Sequence, residues 1–247
     1  MILAAAQTKP LRGNINENLL DHYQLIELAA DHGANLIVFP ELSITGYERE
    51  TAETLSFSND DARLEGLKKL AVERNIIIIA GAPVKINAVL YIGEFLIRPD
   101  YTVSIYTKQF LYTGEDEYFT SSFDYNPIIE LNEEKMSLAI CADIMNRQHP
   151  ENARKTGSTV YISSIFFSPE GIIGGHKLLK IYARKHGMNM LMSNYCGEVW
   201  GCPAGGRSAF WNKEGNLVAE MNGTDSGLLL VEKNNGIWTG QIIPLSK

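Results

Sequence analysis

Short runs that are apolar at every position alternate in this chain with longer amphipathic segments. LIVF at 36–39 and IIIIA at 76–80 are apolar on both faces, as strands are when other layers cover both sides of a sheet. The segments that precede them, 14–32 and 60–74, repeat apolar residues at helical spacing. This alternation favours sheets that contain parallel strands, with helices packed on the outside.

The rest of the chain continues the alternation and adds hairpins. Strands at 89–97 and 101–106 flank the turn Arg98-Pro-Asp100, and further turns are predicted at Lys213-Glu-Gly215 and Asn222-Gly223. The central segments are predicted as strands at 136–140, 159–163 and 189–193 and as helices at 150–155 and 175–186. We expect an α+β or α/β fold with mixed sheets. No linker or low-complexity tract interrupts the chain, so we expect a single domain over residues 1–247.

Charge and cysteine usage exclude several classes of partner. A formal net charge of −7 argues against nucleic acid or an anionic membrane surface. No window approaches the roughly 18 apolar residues of a membrane span. Cys141, Cys196 and Cys202 are too few for a disulfide framework and lack the CxxC pairs of a zinc site. The expected location is therefore the reducing cytoplasm, and no metal is expected.

Four residues with complementary chemistry lie where predicted strands run into loops. They are Glu41, Lys108, Glu115 and Cys141. Open α/β sheets bind ligands outside the carboxyl ends of their strands, so residues far apart in sequence can meet there. A thiol is activated by deprotonation, which a nearby ammonium favours, and a carboxylate can carry its proton to a leaving amine. The set fits acyl transfer without a histidine.

Taken one at a time, these residues also have ordinary structural interpretations. A cysteine at the end of a buried strand is often a small core residue, and a glutamate after proline can cap a turn or helix. Lysines and glutamates in loops are usually solvated charges. Residue type and position alone therefore leave the catalytic interpretation open.

Three segments resemble the signatures of the nitrilase-like carbon–nitrogen hydrolases. They are FPELSITGY at 39–47, YTKQFLYTGEDEYF at 106–119 and ICADIMNRQHPENA at 140–153. The resemblance implies that Glu41 is a general base, that Lys108 and Glu115 complete the acid–base set, and that Cys141 is the nucleophile. Weaker similarity extends from AAAQ near the N-terminus to GRSAFWNKEGNLVAE at 206–220.

The resemblance also implies a fold, an activity and an assembly. The fold is a single-domain, four-layer α-β-β-α sandwich, commonly paired through its outer helices into a homodimer or a larger even assembly. The activity is hydrolysis of a small amide without metal or organic cofactor, with the backbone N–H of Ala142 in the oxyanion site. Pocket walls are expected near Tyr47, near Ile165 and Phe166, and at 195–205.

Several assignments remain open at this stage. A nitrile or an N-carbamoyl amino acid can use the same residues, and a non-catalytic binding or scaffold protein is an alternative of a different class. Pro150 and Glu151 lie three residues later than in many relatives, so a substrate-carboxylate role for Arg147 is in doubt. Cys196 and Cys202 are expected to be structural, with a place in the pocket wall as the alternative.

Two further groups of residues receive specific predictions. His149, His176 and His186 lack metal-ligand spacing and are expected at the surface or at helix ends. Glu115, Asp116 and Glu117 are adjacent, and three like charges cannot converge on one buried lysine, so one of them should point inward. The family resemblance places the functional glutamate three residues before the aromatic pair, which implies Glu115, with Asp116 and Glu117 solvated and with Tyr118 and Phe119 anchoring the loop.

Overall fold

The computed structural model describes residues 1–245; the last two residues of the domain predicted over 1–247 lie outside the described part. Two sheets pack face to face, each with helices on its outer side. The first sheet has seven strands, in the spatial order β15 (Ile237–Pro244), β14 (Gly227–Asn234), β1 (Ile2–Gln7), β2 (Leu36–Val38), β3 (Ile77–Ile86), β4 (Val89–Ile97) and β5 (Val103–Thr107).

The second sheet has six strands, in the order β13 (Leu217–Glu220), β12 (Ala209–Trp211), β9 (Asn189–Asn194), β8 (Val160–Ile165), β7 (Glu134–Ile140) and β6 (Ile129–Leu131). A separate small hairpin pairs β10 (Glu198–Val199) with β11 (Cys202–Pro203). The α-helices are α1 (Ile15–Asp31), α2 (Ala52–Leu55), α3 (Glu65–Glu73), α4 (Gln148–Lys155) and α5 (Gly171–His186), and 3₁₀ turns occupy Ala62–Leu64 and Cys141–Met145.

Both sheets are mixed, as the alternation predicted. Strands β1, β2 and β3 run parallel to one another, and so do β7, β8 and β9, whereas the other pairings are antiparallel. Helices α1 and α3 cover the first sheet, and α5 packs on the second. The four-layer α-β-β-α arrangement is therefore confirmed.

The all-apolar character of β2 follows from its position between two apolar layers. Leu36 and Val38 belong to the core between the sheets, whereas Ile37 faces the layer of α1 and α3. All three are completely buried. Because successive strand residues point to opposite faces, a strand covered on both sides needs apolar residues at every position.

The predicted hairpin turn at Asn222-Gly223 is wrong. This segment carries the chain from β13 in the second sheet to β14 in the first, and the Gln7 side-chain amide holds it by donating to the carbonyls of Asn222 and Asp225. The hairpin lies later, between β14 and β15, where Asn235 and Gly236 both have positive φ. Asn-Gly favours such a turn locally, but the sheet to which the next strand belongs depends on tertiary packing.

The helices of the described chain have modest lengths. The longest, α1, has 17 residues, and within residues 1–245 no helix combines the length and the apolar character of a membrane span. Helix α5 starts at Gly171, a few residues earlier than predicted, because the glycines at its beginning obscure the helical pattern.

Candidate active site

One buried ammonium joins two carboxylates at the end of the sheets where the predicted residues converge. Lys108 Nζ donates to Glu41 Oε1 at 2.6 Å and to Glu115 Oε1 at 2.8 Å. The three side chains are at most 1% exposed. Glu41 follows β2 and Lys108 follows β5, so strand ends of the first sheet supply both partners. Buried charges need such pairing, because an unpaired ion in the interior is strongly destabilising.

Glu115 is fixed in place by two further donors. Its Oε1 also accepts the Tyr47 hydroxyl at 2.6 Å, and its Oε2 accepts the backbone N–H of Tyr112 at 2.7 Å. Glu115 is completely buried, whereas Asp116 and Glu117 are exposed. One acid of the three points inward, as charge repulsion predicted, and it is Glu115, the one that the family resemblance implied. In the aromatic pair that follows, Phe119 is buried but Tyr118 is exposed, so only Phe119 can anchor the loop as predicted.

Cys141 begins the 3₁₀ turn directly after β7 and lies 8% exposed at the cavity floor. Its φ of 39° lies in the left-handed region, which is unfavourable for a residue with a side chain and is often found at functional sites. The thiol approaches the backbone carbonyl of Phe166 at 3.6 Å. Ala142, whose N–H the family resemblance places in the oxyanion site, is the next residue of this turn.

Asp143 connects the turn that carries Cys141 to the loop that carries Lys108. Its Oδ1 accepts the backbone N–H groups of Gln109 and Phe110 at 3.0 and 2.8 Å. Its Oδ2 accepts the N–H of Ile140 and the hydroxyl of Tyr106, at 2.8 and 2.7 Å. A carboxylate that accepts four bonds holds both segments rigidly. Asp143 lies in the segment 140–153 that resembles a family signature, but no local pattern indicates its partners.

His149 lies in the first turn of α4, one of the two settings predicted for it, but it is buried and not at the surface. It is 3% exposed, with Nε2 at 2.8 Å from the Tyr106 hydroxyl and Nδ1 at 2.7 Å from the Tyr161 hydroxyl. Because Tyr106 donates its proton to Asp143, the neutral ring must donate from Nε2 and accept from Tyr161 at Nδ1. Burial lowers the pKa of His149, although Asp143 opposes this effect. His149 therefore belongs to a buried network that includes Asp143, in the same turn as Cys141.

The electrostatics of the cluster match proton transfer near neutral pH. Burial raises the pKa of Glu41 to about 7, and Glu115 adds to this effect, whereas Lys108 and the Cys141 thiol oppose it. Burial raises the pKa of Cys141 above that of a free thiol, with a further contribution from Glu41. For Lys108, burial lowers the pKa, but Glu41, Cys141 and Glu115 outweigh burial and raise it. At rest the site therefore holds a charged lysine and a protonated thiol.

One oxygen of Glu41 is available for chemistry. Oε1 is occupied by Lys108, whereas Oε2 is buried and has no hydrogen-bond partner among residues 1–245. The backbone carbonyl of Glu41 accepts the Tyr195 hydroxyl at 2.5 Å, which fixes the position of the residue. A free carboxylate oxygen close to a thiol can accept its proton.

A cavity of about 400 Å³ opens above Cys141. Tyr47, Phe166 and Cys202 line it, in agreement with the loops expected to form the walls, whereas Ile165 is packed in the core between the sheets and does not line it. Cys196 is buried elsewhere, against the carbonyl of Thr8. Trp200, which belongs to the predicted segment 195–205, also lines the cavity, whereas the sequence did not reveal other wall residues, among them Arg49, Tyr112, Met145 and Phe167. They lie in loops or helix ends, whose spatial position no local pattern encodes.

The chain is similar to known proteins over most of its length. The sequence model of the family described as carbon-nitrogen hydrolase matches residues 2–236. The chain is 28% identical to a protein N-terminal amidase of Schizosaccharomyces pombe, over 58% of this chain and 55% of that protein. It is 30% identical to a nitrilase of Pyrococcus abyssi, over 62% of this chain and 58% of that protein. The matches thus span little more than half the length of these two relatives.

Solved structures show the same fold. An amidase from Nesterenkonia sp. AN1, in a variant bound to butyramide, superposes with a TM-score of 0.85 over 93% of this chain and 89% of its own. The sequence identity is 22%, so this likeness concerns the fold alone.

Proposed function

We propose that this chain, which belongs to the carbon–nitrogen hydrolase family, cleaves the non-peptide carbon–nitrogen bond of a small amide through a thioester on Cys141. The observation that carries the proposal is the buried cluster of Glu41, Lys108 and Glu115, with Cys141 beside it on the floor of a cavity. This arrangement provides a nucleophile, a base and a positive charge within one enclosed space.

Acylation begins with transfer of the Cys141 proton to the free oxygen of Glu41. The thiolate then attacks the amide carbonyl carbon, and the Lys108 ammonium and the N–H of Ala142 stabilise the negative charge that forms on the carbonyl oxygen. Glu41 delivers the proton to the departing nitrogen as the C–N bond breaks. Ammonia or an amine leaves, and the acyl group remains on sulfur.

Deacylation uses the same groups in the reverse roles. Glu41 takes a proton from a water molecule, which attacks the thioester carbonyl, and the proton then passes to the sulfur as the acid product leaves. Glu115 keeps Lys108 in position through its 2.8 Å ion pair while Glu41 changes protonation. In this scheme the protein side chains and water supply every proton and every bond.

An amide is favoured over a nitrile because the relative from Schizosaccharomyces pombe is described as an amidase and the family resemblance implies hydrolysis of a small amide. The resemblance to a nitrilase of Pyrococcus abyssi supports the second candidate, in which the thiolate adds to a nitrile and forms a thioimidate. Release of ammonia from short amides and from the matching nitriles separates the two. Amides should react faster; turnover of nitriles alone would replace the first function with the second, and inertness toward both would refute both.

The rate should rise with pH through neutrality. Only ionised Glu41 can accept the thiol proton, and its pKa is raised to about 7, mainly by burial. We therefore expect kcat/KM to increase about tenfold per pH unit below pH 7 and to level off above it. A pH profile of initial rates measures this; an ascending limb centred near the ordinary pKa of a glutamate would contradict the assignment of Glu41.

Glu115 and Glu117 should differ sharply when each is changed to glutamine. Glu115→Gln removes one of the two carboxylates that pair with Lys108 and weakens the hydrogen bonds from Tyr47 and Tyr112. We therefore expect at least a tenfold loss of kcat. Glu117→Gln alters an exposed side chain and should leave kcat nearly unchanged. Parallel kinetics at pH 8 measure both; the opposite pattern would show that the loop is wrongly assigned.

We also propose that the chain forms a homodimer or a larger even assembly in the cytoplasm. Ile173 and Ile181 on α5 are 66% and 46% exposed, and the family resemblance implies pairing through the outer helices. All three cysteines are free, which suits a reducing compartment. Light scattering at micromolar concentration should give at least twice the chain mass; a value near 27.5 kDa would exclude assembly.

A further inference from the structure

Arg49 places a positive charge in the wall of the cavity that contains Cys141. Its guanidinium stacks on the Trp200 ring, with 4.0 Å between Cζ and the ring centroid, and the Tyr47 ring lies at 5.8 Å. The side chain is partly buried, and both aromatic residues line the same cavity. Stacking on two rings fixes the plane of the guanidinium and so fixes the direction of its N–H donors.

The donors of Arg49 are largely unused. Nη1 makes one long bond, 3.4 Å to the Thr113 carbonyl, and Nε is buried without a hydrogen-bond partner in the described chain. Within residues 1–245 Arg49 forms no ion pair, whereas Arg12 pairs with Glu48 at 2.6 Å and Arg63 pairs with Asp61 at 2.6 Å. A partly buried guanidinium with free donors is suited to an anionic ligand.

The neighbouring acids do not neutralise Arg49. The pKa of Glu50 is lowered, mainly by a hydrogen bond from its own backbone and to a smaller extent by Trp200 and Arg49. Its carboxylate is nevertheless exposed, and it accepts the Trp200 indole N–H at 3.2 Å. The acids that line the cavity are Glu41 and Glu115, and both are bonded to Lys108. Arg49 is therefore the charge in the cavity wall that is left for a ligand.

The remaining wall is mainly apolar. Phe166, Phe167, Met145 and Trp200 line the same cavity as the thiol and Arg49. A ligand that fills this space has a short apolar middle, with the reacting group at Cys141 and an anionic group at Arg49. A carboxylate fits the planar fork of a guanidinium with two parallel hydrogen bonds.

We propose that Arg49 binds a carboxylate of the substrate, so that this enzyme prefers the monoamides of small dicarboxylic acids to neutral amides. The inference rests on the amide hydrolysis proposed above and names the substrate class of that site. Arg147, the arginine nearest the nucleophile signature, is exposed and lies in a surface groove beside Met145 and Asn146, outside the cavity wall. It therefore serves as the matched control.

The test compares each monoamide with the diamide of the same diacid, which replaces the carboxylate by a neutral group of equal size. Succinamate, glutaramate, succinamide and glutaramide are assayed by ammonia release with the wild type and with Arg49→Gln, Arg49→Lys and Arg147→Gln. The wild type should prefer the monoamides. Arg49→Gln should lose about 10- to 100-fold in kcat/KM on monoamides, mainly through KM, and should change little on diamides.

The two other variants sharpen the result. Arg49→Lys should keep part of the preference, because the charge remains but the fork is lost, and Arg147→Gln should behave like the wild type. Calorimetric titration of succinamate into Cys141→Ala and into Cys141→Ala/Arg49→Gln measures binding without turnover. The Kd should be about 10- to 100-fold higher in the double variant, the same factor as the loss expected in kcat/KM. Thermal unfolding of each variant verifies that it is folded.

The possible failures are distinguishable. Hydrolysis of diamides as fast as monoamides by the wild type, or an equal loss on both in Arg49→Gln, would overturn the role of Arg49 and leave the amidase function intact. A selective loss of kcat/KM on monoamides in Arg147→Gln, with none in Arg49→Gln, would also overturn the role of Arg49. Inertness toward monoamides and diamides alike, together with no binding to Cys141→Ala, would refute the inference and count against the proposed function.

Discussion

Replacement of Cys141 by alanine is expected to abolish amide hydrolysis while leaving the fold intact. The thiol is the group that forms the covalent bond to the acyl carbon, and loss of a catalytic nucleophile typically reduces kcat on the order of 10⁶-fold. The side chain is small, so alanine leaves little empty volume, and the adjoining turn is held by Asp143 rather than by the sulfur. Ammonia release and the melting temperature together measure the two parts of this prediction.

The other two cysteines provide the controls. Cys202 is exposed at the cavity wall, and Cys196 is buried with its thiol directed at the Thr8 carbonyl, a bond that a serine hydroxyl can also make. Cys196→Ser and Cys202→Ser should therefore retain most of the activity. Wild-type turnover in Cys141→Ala, or loss of turnover confined to one of the controls, would refute the assignment of the nucleophile.

Glu41→Gln should reduce kcat by about 10²- to 10⁴-fold, the usual contribution of a general base. Glutamine has the same size and its carbonyl can still accept the Lys108 bond, so the cluster should persist while the proton acceptor is lost. The ascending limb of the pH profile near 7 should disappear with it. Steady-state rates between pH 5 and pH 9, compared with the wild type, measure both effects.

Glu94 offers a matched control for Glu41, because it is another buried glutamate on the inner face of the first sheet. Burial raises its pKa to about 8, with Ser164 opposing the shift and Asp143 and Glu41 adding to it. At pH 7 Glu94 is therefore mostly neutral, and glutamine resembles its protonated form. Glu94→Gln should be close to wild type in kcat; a loss equal to that of Glu41→Gln would show that any buried carboxyl in this region has the same effect.

The layers of the fold could be predicted because burial on both faces leaves a local trace in the sequence. The apolar run of β2 and the helical spacing of α1 indicated a sheet covered by helices, whereas the number of four layers, which the structure confirms, was implied by the family resemblance. The connection near Asn222 could not be predicted in the same way. A turn dipeptide indicates that the chain bends, but it does not indicate which sheet the next strand joins. That depends on long-range contacts, such as the hydrogen bonds from the Gln7 side chain to the carbonyls of Asn222 and Asp225.

The candidate site was predictable where residue chemistry limits the arrangement. Charge repulsion indicated that one acid of the segment 115–117 faces inward, the family resemblance implied Glu115, and Glu115 is the buried one. His149 and Arg49 had no such local signal. Their settings depend on partners more than ten residues away, Tyr161 for His149 and Trp200 for Arg49, and long-range contacts of this kind exist only after folding.

The covalent intermediate gives the most direct test of the central claim that Cys141 carries the acyl group. A p-nitrophenyl ester has a leaving group that needs no proton, so it can acylate those Glu41→Gln molecules whose Cys141 thiol has lost its proton to bulk water, whereas deacylation still requires the missing base. Mixing this variant with p-nitrophenyl acetate should release one nitrophenolate per active site in a burst, and mass spectrometry of the acid-quenched protein should place one acetyl group on the peptide that contains Cys141. The double variant Cys141→Ala/Glu41→Gln should show neither; a burst that persists in it, or an acetyl group found on another residue instead, would contradict the mechanism.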